Sequence, residues 1–343
     1  MSTTSLPLPS TLLVSVVIIG RNEGGRLVRC LESVNSMQRA GFAIETIYVD
    51  SASTDGSPER AAALGARVIE VRPERPSAAL GRNAGWRAAH GNFVLFLDGD
   101  TILHPEFVAR AMQTMQDRAV AIVWGHRREL HPEHSIYNRV LDLDWIYPPG
   151  PSEFCGGDAL MRRSVLEAVG GFDASLIAGE EPEMCRRIRA KGFVIQHIDA
   201  PMTGHDLAIT RFAAYWKRAY RAGHAYAEIA ARFRHSSDPM WLKDSRRNLM
   251  HAGVLTGCLA LLPLSVFWPV AAALVAAFLG LLVGRTVLRC HWKSAAPATR
   301  LLYSIHAHLQ QIPIALGQLS YLINSRRGRH SRLIEYKGSN SVA

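Results

Sequence analysis

The sequence predicts an α/β fold in which a mostly parallel sheet is flanked by helices. Apolar runs rich in Val and Ile recur through the first half of the chain: VSVVIIG, IETIYVD, ARVIEV, NFVLFLD and AVAIVWG. Helical spacing of apolar residues separates these runs, and uninterrupted β-branched runs indicate strands covered on both faces. The composition agrees, since 48% of the 343 residues are hydrophobic and 20% are charged, as in globular chains.

The first predicted strand lies in LLVSVVIIG, which also resembles the core of a signal peptide. No basic residue precedes it and no small-residue cleavage pattern follows, so we interpret it as a buried strand. Helices are predicted at 25–37, 57–64 and 78–89, and residues 127–157 read as a polar, proline-bearing connection. RRSVLEAVGGFD and EMCRRIRAKGF then predict two helices separated by a glycine-rich loop.

The net charge of +10 is concentrated late in the chain, in 211–249 and again from 285 onward. Such charge fits a nucleic acid, an anionic membrane or an acidic substrate. It lies beside apolar sequence and no nucleic-acid-binding module is visible, which favours a membrane. Five cysteines without CxxC spacing argue against a disulfide framework and against a thiolate zinc site, and favour a reducing, cytosolic setting.

Residues 250–285 predict a transmembrane or re-entrant helical hairpin. Within it, residues 251–284 carry no charge apart from His251 when protonated, and they include Pro263 and Pro269. One crossing needs about 20 apolar residues, so the run is long for one span and short for two. Basic residues on both flanks place both ends on the cytoplasmic side, with a turn near Phe267 and Trp268. A buried helical pair of a soluble protein is the alternative.

Two amphipathic segments surround this run. Residues 211–249 contain RFAAYWKRAYRAGHAYAEIAARF, which predicts a basic amphipathic helix. Residues 286–343 contain LLYSIHAHLQQIPIALGQLSYLI and the basic RRGRHSR, which predict an interfacial helix and a patch for anionic lipids. A solvated basic tail is the alternative for the last segment.

In the stretch FVLFLDGD, a predicted buried strand is followed at once by two negatively charged residues, Asp98 and Asp100. Gly99 allows a tight turn between them, and paired carboxylates suit Mg²⁺ or Mn²⁺ together with substrate phosphates. An ordinary Asp-Gly turn is the alternative. Because ligands collect at the carboxyl ends of parallel strands, the same edge is expected to hold Arg21, Asn22, Glu23 and Asp50.

Three motifs occur in this order along the chain: SVVIIGRNE, YVDSASTDGS and GRNAGWRAAHGNFVLFLDGD. Together they resemble the nucleotide-binding half of the family 2 glycosyltransferases, which have the GT-A fold. The resemblance continues through GGDALMRRSVLEAVGGFD and GEEPEMCRRIRAKGF. It implies a domain over 1–210, with the nucleotide-binding half ending near 125 and the acceptor half following.

This resemblance implies a set of donor-binding residues. The base and ribose pocket would be lined by Ile19, Gly20, Arg21 and Glu23. Asp50 would contact the nucleobase, Arg82 would lie near the diphosphate, and Asp98 would help to hold the nucleotide sugar. Asp100 would be the main ligand of a Mg²⁺ or Mn²⁺ ion, with Asp98 nearby. His205, in TGHD, would complete this site or be an ordinary loop residue.

The acceptor half carries the implied catalytic base. Glu181 stands where the family usually has aspartate, and Glu180 is the reserve candidate. A solvated helix start is the alternative, because acidic residues favour the first turn. The acceptor side would be formed by Gly156, Gly157 and Asp158.

The implied function is inverting, metal-dependent transfer of a sugar from a nucleotide-diphosphate donor, with UDP-sugars favoured. The acceptor would be a lipid-linked molecule or a glycan at the cytoplasmic face of the cell membrane, in polysaccharide or cell-envelope synthesis. The QxxRW motif of processive synthases is absent from the sequence, which favours single additions. The alternatives are a catalytically silent, nucleotide-binding membrane scaffold and a basic nucleic-acid-binding protein.

Overall fold

The computed structural model describes residues 12–261 and 268–328. The strands are β1 (Leu12–Gly20), β2 (Phe42–Asp50), β3 (Arg67–Glu70), β4 (Phe93–Asp98), β5 (Thr101–Leu103), β6 (Val120–Glu129), β7 (Gly150–Pro151), β8 (Ala159–Arg162) and β9 (Val194–His205). The helices are α1 (Gly25–Asn35), α2 (Ser57–Ala63), α3 (Ala78–Ala88), α4 (Phe107–Thr114), α5 (Ile136–Asp144), α6 (Arg163–Val169), α7 (Glu180–Ala190), α8 (Phe212–Phe233), α9 (Leu242–Leu261), α10 (Pro269–Arg289), α11 (Pro297–Leu309) and α12 (Gln311–Arg326).

The described residues divide into two units. The sheet unit comprises 12–127, 147–175 and 180–206. The helical unit comprises 128–146, 176–179, 207–261 and 268–328. The division therefore assigns residues 128–146, which include α5, to the same unit as the C-terminal helices.

The sheet has a parallel part and an antiparallel part. Its order is β3-β2-β1-β4-β8-β6-β9-β5, with β7 beside β9. The pairs β3-β2, β2-β1 and β1-β4 are parallel, which confirms the predicted α/β fold. Antiparallel pairing begins where β8 joins β4. Strand β9 alternates buried and more exposed residues, as antiparallel strands covered on one face do. It was not predicted as a strand because its sequence has no uninterrupted apolar run.

The parallel part aligns the carboxyl ends of its strands. In register, Gly20 of β1 faces Asp50 of β2, and Ile19 faces Asp98 of β4. The core beneath this edge is formed by fully buried side chains that include Ile18, Leu27, Ile47, Tyr48, Leu95, Phe96 and Leu97. Burial of each such side chain contributes roughly 1.5–3 kcal/mol to the free energy of unfolding, so a well-packed core supports the residues at this edge.

The predicted helices are present, and two elements lie in the stretch predicted as a connection. Helices α1, α2 and α3 match the predicted spans to within two residues. Between 127 and 157 the structure places α5 and β7. Helix α5 begins after Ser135, whose hydroxyl accepts a hydrogen bond from the Asn138 amide at 2.9 Å. This N-cap is a sequence signal for a helix start.

The amphipathic helix predicted from Arg211 is present as α8. The predicted interfacial helix is two helices, α11 and α12. Pro313 explains the break, because its ring would clash with the carbonyl of Leu309, where α11 ends. One face of α12 is buried, through Pro313, Ile314, Ala315, Gly317 and Gln318. Residues 329–343, which hold most of the basic tail, lie outside the described residues.

The hairpin predicted over 250–285 corresponds to α9 and α10, with residues 262–267 outside the described part of the chain. Helix α9 begins earlier than predicted, at Leu242, and includes Lys243, Asp244, Arg246 and Arg247. Among residues 12–261 and 268–328, α10 alone is long and apolar enough to cross a membrane, and none of its residues is buried. Within the described part of the hairpin, the second arm alone therefore has the length and composition of a membrane span.

Candidate active site

The carboxyl end of β2 holds a buried and well-anchored carboxylate. Asp50 is only 1% exposed. Its Oδ1 accepts a hydrogen bond from the Tyr48 hydroxyl at 2.8 Å, and its Oδ2 accepts one from the Ser53 amide at 2.7 Å. Burial, followed by the negative charge of Asp50, raises the pKa of Tyr48, so this hydroxyl stays a donor. Asp50 is therefore fixed at the strand end with a defined orientation.

The loops after β1 and β2 are tied together beside Asp50. The Asn22 amide donates to the Ser53 hydroxyl at 2.8 Å, and the Thr54 amide donates to the Asn22 side chain at 2.8 Å. Glu23 pairs with Arg26 at 2.9 Å. Of the predicted pocket residues, Ile19, Gly20 and Glu23 are half-buried and Arg21 is exposed. The structure thus brings the predicted base and ribose residues to one edge.

Arg82 of α3 joins two carboxylates beneath this edge. It is 4% exposed. Its Nη2 donates to Asp98 Oδ1 and its Nη1 donates to Glu180 Oε1, each at 2.9 Å. Burial alone would lower the pKa of Arg82, but the Asp98, Glu180 and Asp158 carboxylates raise it. The guanidinium therefore links the end of β4 to the start of α7, a link that the sequence did not predict.

Asp98, Asp100 and His205 form a cluster of possible metal ligands. One donor atom from each lies within 4.8 Å of the others, and Asp100 and His205 are buried. His205 reaches the cluster because β9 pairs with β5, where His205 faces Thr101. Its Nε2 lies 3.5 Å from Asp100 Oδ1. Two hard carboxylate oxygens and one imidazole suit Mn²⁺ or Mg²⁺, so the residues predicted for the metal fit such an ion.

Asp158 supports this cluster from β8. It is 1% exposed, and it accepts hydrogen bonds from the Asp98 amide at 3.1 Å and the Thr203 hydroxyl at 2.9 Å. Burial raises the pKa of Asp158 despite the nearby Arg127. Asp158 therefore fixes the end of β4 through the Asp98 amide, and its predicted place on the acceptor side stays a prediction.

Two glycines before β8 allow close approach of the backbone. A Cβ atom at Gly157 would lie 2.7 Å from Arg82 Nη2 and 3.0 Å from Asp98 Oδ2. Gly156 has a φ of 78°, and a Cβ there would overlap the guanidinium of Arg127. Only glycine fits both positions without displacing these side chains.

Glu181 lies at the start of α7 and is 7% exposed. Its Oε1 accepts hydrogen bonds from the Cys155 amide at 2.7 Å, the Cys155 thiol at 3.2 Å and the Cys185 thiol at 3.0 Å. Neighbouring Glu180 is bound to Arg82. The two adjacent carboxylates therefore have different partners: Glu180 is bound by a guanidinium, and Glu181 is bound by an amide and two thiols.

Several residues around the site were not predicted from the sequence. Tyr48 and Thr203 each lie two residues before a predicted site residue, Asp50 and His205, so strand alternation places them on the same faces. Arg127 lies in β6 shortly after its apolar run, and its Nη2 donates to the Cys155 carbonyl at 3.2 Å. A charged residue two positions after the apolar run VAIVWG was the sequence signal for Arg127.

Comparison with known proteins identifies relatives of the chain. Residues 15–170 match Glycosyl transferase family 2, and residues 93–287 match Glycosyl transferase family group 2. Glycosyltransferase AglE of Haloferax volcanii is 24% identical, over 65% of this chain and 76% of that protein. An N-acetylglucosaminyltransferase of Mesorhizobium japonicum is 32% identical over 47% of this chain, which spans only 41% of that relative.

A solved structure shares the fold. The mannosyltransferase PcManGT from Pyrobaculum calidifontis, in complex with GDP-Man and Mn²⁺, superimposes with a TM-score of 0.62 at 21% identity. The match covers 89% of this chain and 86% of that one. It confirms the predicted GT-A fold.

Proposed function

Because the chain belongs to glycosyltransferase family 2, we propose that it transfers a sugar, with inversion, from a nucleotide-diphosphate donor to a lipid-linked or glycan acceptor. One observation carries this proposal. Asp98, Asp100 and His205 place two carboxylates and an imidazole within 4.8 Å of one another at the edge that also holds Asp50. A divalent cation held there would neutralise charge on the departing diphosphate.

In this mechanism the residues of the chain position the donor and move one proton. Asp50 receives the nucleobase, and the linked loops after β1 and β2 enclose the ribose. Arg82 holds Asp98 and Glu180 in place through its two hydrogen bonds. Preorganised charges of this kind need no rearrangement when charge develops.

Glu181 is the proposed general base. Its Oε1 is fixed by the Cys155 amide and two thiols, and Oε2 would take the proton from the acceptor hydroxyl. A positioned base typically contributes 10²–10⁴-fold to the rate. Glu180 is less suited to this role because it already pairs with buried Arg82. Displacement by the acceptor at the anomeric carbon then inverts that carbon without a covalent enzyme intermediate.

The donor is a hexose carried by a nucleoside diphosphate. PcManGT is solved with GDP-Man and Mn²⁺, which supports both the class of donor and the metal. Family resemblance favours a UDP-sugar, so UDP- and GDP-sugars are the first candidates to compare.

The acceptor is proposed to lie at a membrane. Helix α10 is apolar and has no buried residue, with Val270 74%, Leu281 73% and Leu288 75% exposed. Exposed apolar surface of this extent in one helix is costly in water. A lipid-linked acceptor at the cytoplasmic face, in non-processive synthesis of a polysaccharide or cell-envelope glycan, accounts for this helix.

The test is a panel of sugar nucleotides with purified full-length protein in detergent, with Mn²⁺ or Mg²⁺. We expect metal-dependent release of nucleoside diphosphate from one donor, and loss of that release in Asp100→Ala. Asp199→Ala is the matched control, since that carboxylate is 83% exposed and lies outside the cluster. Donor binding without turnover in the presence of membrane extract would instead favour the catalytically silent scaffold.

Membrane association has a separate test. We expect the protein to stay with sedimented membranes in high salt, because apolar burial does not depend on screened charges. Release from the membranes by salt would favour the nucleic-acid-binding alternative, whose affinity falls steeply with salt.

A further inference from the structure

Two thiols and a carboxylate meet at the start of α7. Cys155 lies before β8, and Glu181 and Cys185 lie one turn apart on α7. Their relative exposures are 1%, 7% and 0%. One donor atom from each residue lies within 4.8 Å of the other two. The fold thus assembles a ligand set that spacing in the sequence did not indicate, since the cysteines are 30 residues apart.

The distances between the three donor atoms are close to those around a tetrahedral zinc ion. Zinc binds thiolate at about 2.3 Å and carboxylate oxygen at about 2.0 Å, which sets sulfur atoms about 3.8 Å apart and sulfur and oxygen about 3.5 Å apart. Here Cys155 Sγ and Cys185 Sγ are 3.7 Å apart. Glu181 Oε1 lies 3.2 Å from the first sulfur and 3.0 Å from the second. Outward shifts of a few tenths of an ångström would admit the ion.

We propose that Cys155, Cys185 and Glu181 form a binding site for a soft divalent cation such as Zn²⁺, and that its occupation withdraws Glu181 from the transfer reaction. Binding forms two metal–sulfur bonds and one metal–oxygen bond and releases the two thiol protons. One divalent cation replaces two protons, so the net charge of this buried group does not change. The proposed binding of the cation does not depend on the proposed function. The proposed inhibition of sugar transfer does rest on the proposed function.

The site differs in chemistry from the Asp98, Asp100 and His205 cluster. Thiolates prefer soft cations, whereas carboxylates and water suit Mg²⁺ and Mn²⁺. The two sites are therefore separable: excess Mg²⁺ competes at the first cluster and leaves the thiol site available. Inhibition arises because a cation on Oε1 favours the charged form of the Glu181 carboxylate, which makes Oε2 a weaker base for the acceptor hydroxyl.

The experiment uses the full chain, reduced and freed of metal, with Cd²⁺ as the probe in the presence of excess Mg²⁺. We expect one equivalent of Cd²⁺ to produce ultraviolet thiolate-to-cadmium charge-transfer absorption, both in the wild type and in Asp100→Ala. Cys185→Ser and Cys155→Ala should each weaken binding at least about 100-fold, since losses in the outer shell alone cost 10–100-fold. Cys258→Ser is the matched control, because that thiol lies in α9 outside the cluster.

Thermal unfolding of each variant shows whether it is folded, and Glu181→Gln provides a further variant with both thiols intact. Absorption that is absent from the wild type, or unchanged in folded Cys185→Ser, would overturn the site. A mass loss of two hydrogens without bound Cd²⁺ would also overturn it, because the pair would then be a disulfide couple.

The activity arm measures donor turnover against Zn²⁺ concentration. We expect Zn²⁺ to inhibit the wild type and Cys258→Ser at concentrations at least about tenfold below those needed for Cys185→Ser, in line with the loss of one ligand. Cd²⁺ binding without loss of turnover would overturn the inhibition and the role of Glu181, while the cation site would stand. The two failures are therefore distinguishable.

Discussion

Replacing Arg82 tests whether the link between β4 and α7 stabilises the sheet unit. Arg82→Met removes a guanidinium whose side chain is 5% exposed and leaves the carboxylates of Asp98 and Glu180 without it. Removing one partner of a buried ion pair costs about 3–5 kcal/mol. The Asp98 side chain is 33% exposed and is partly hydrated, so we expect the lower end, about 3 kcal/mol.

The assay is thermal unfolding followed by circular dichroism at pH 7.5. For a domain of 150–250 residues, 1 kcal/mol shifts Tm by about 2–4 °C, so Arg82→Met should lower Tm by about 6–12 °C. Adding Glu180→Gln should restore part of this loss, because it removes one of the two charges.

Arg72→Met is the matched control. Arg72 pairs with Glu70 at the same 2.9 Å distance, but the two side chains are 77% and 48% exposed. Exposed pairs contribute about 0–1 kcal/mol, so this variant should unfold close to the wild type. Equal Tm values for the two arginine variants would refute the claim that burial makes the Arg82 link strong.

Three further predictions address the base, the helical unit and pH. Glu181→Gln should lower kcat by about 10²–10⁴-fold with little change in donor KM, and steady-state transfer at wild-type rate would exclude Glu181 as base. Gly317→Ala should destabilise the helical unit by about 1–3 kcal/mol in urea unfolding, because the new Cβ would overlap the Tyr220 carbonyl. Gly253→Ala is the control, since a Cβ at Gly253 would have no atom within 4 Å and alanine should be tolerated there. Burial lowers the pKa of His224 from 6.5. On acidification the unfolded state therefore takes up this proton before the folded state does, and the free energy of unfolding falls as the pH drops below 6.5. The free energy of unfolding of His224→Gln should depend less steeply on pH between 7.5 and 5.5, and equal slopes in variant and wild type would contradict this.

The parallel part of the sheet and its edge residues could be predicted because their signals are local. Uninterrupted Val and Ile runs indicate buried strands, and each run ends in the residue that reaches the edge, as with Asp50 and Asp98. Parallel pairing then aligns these ends without further information. The family resemblance added His205 and Glu181, whose positions depend on β9, which was not predicted, and on the packing of the predicted helix α7.

The remaining features depend on contacts distant in the sequence. Antiparallel β8 and β9 bring Asp158 and Thr203 to the end of β4, and no local pattern fixes that pairing. The proximity of Cys155 to Cys185 likewise arises only when α7 packs beside the turn before β8. By contrast, the break between α11 and α12 was predictable, because Pro313 excludes a continuous helix.

The most direct test of the central claim is calorimetric titration of a nucleoside diphosphate with and without Mn²⁺, in the wild type and in Asp100→Asn. If the cluster at the end of β4 holds a cation that binds the diphosphate, Mn²⁺ should raise the affinity of the wild type at least about tenfold, or 1.4 kcal/mol. The same titration of Asp100→Asn should show little response to Mn²⁺. An equal response in both proteins, or no binding of any nucleoside diphosphate by the folded wild type, would contradict the account.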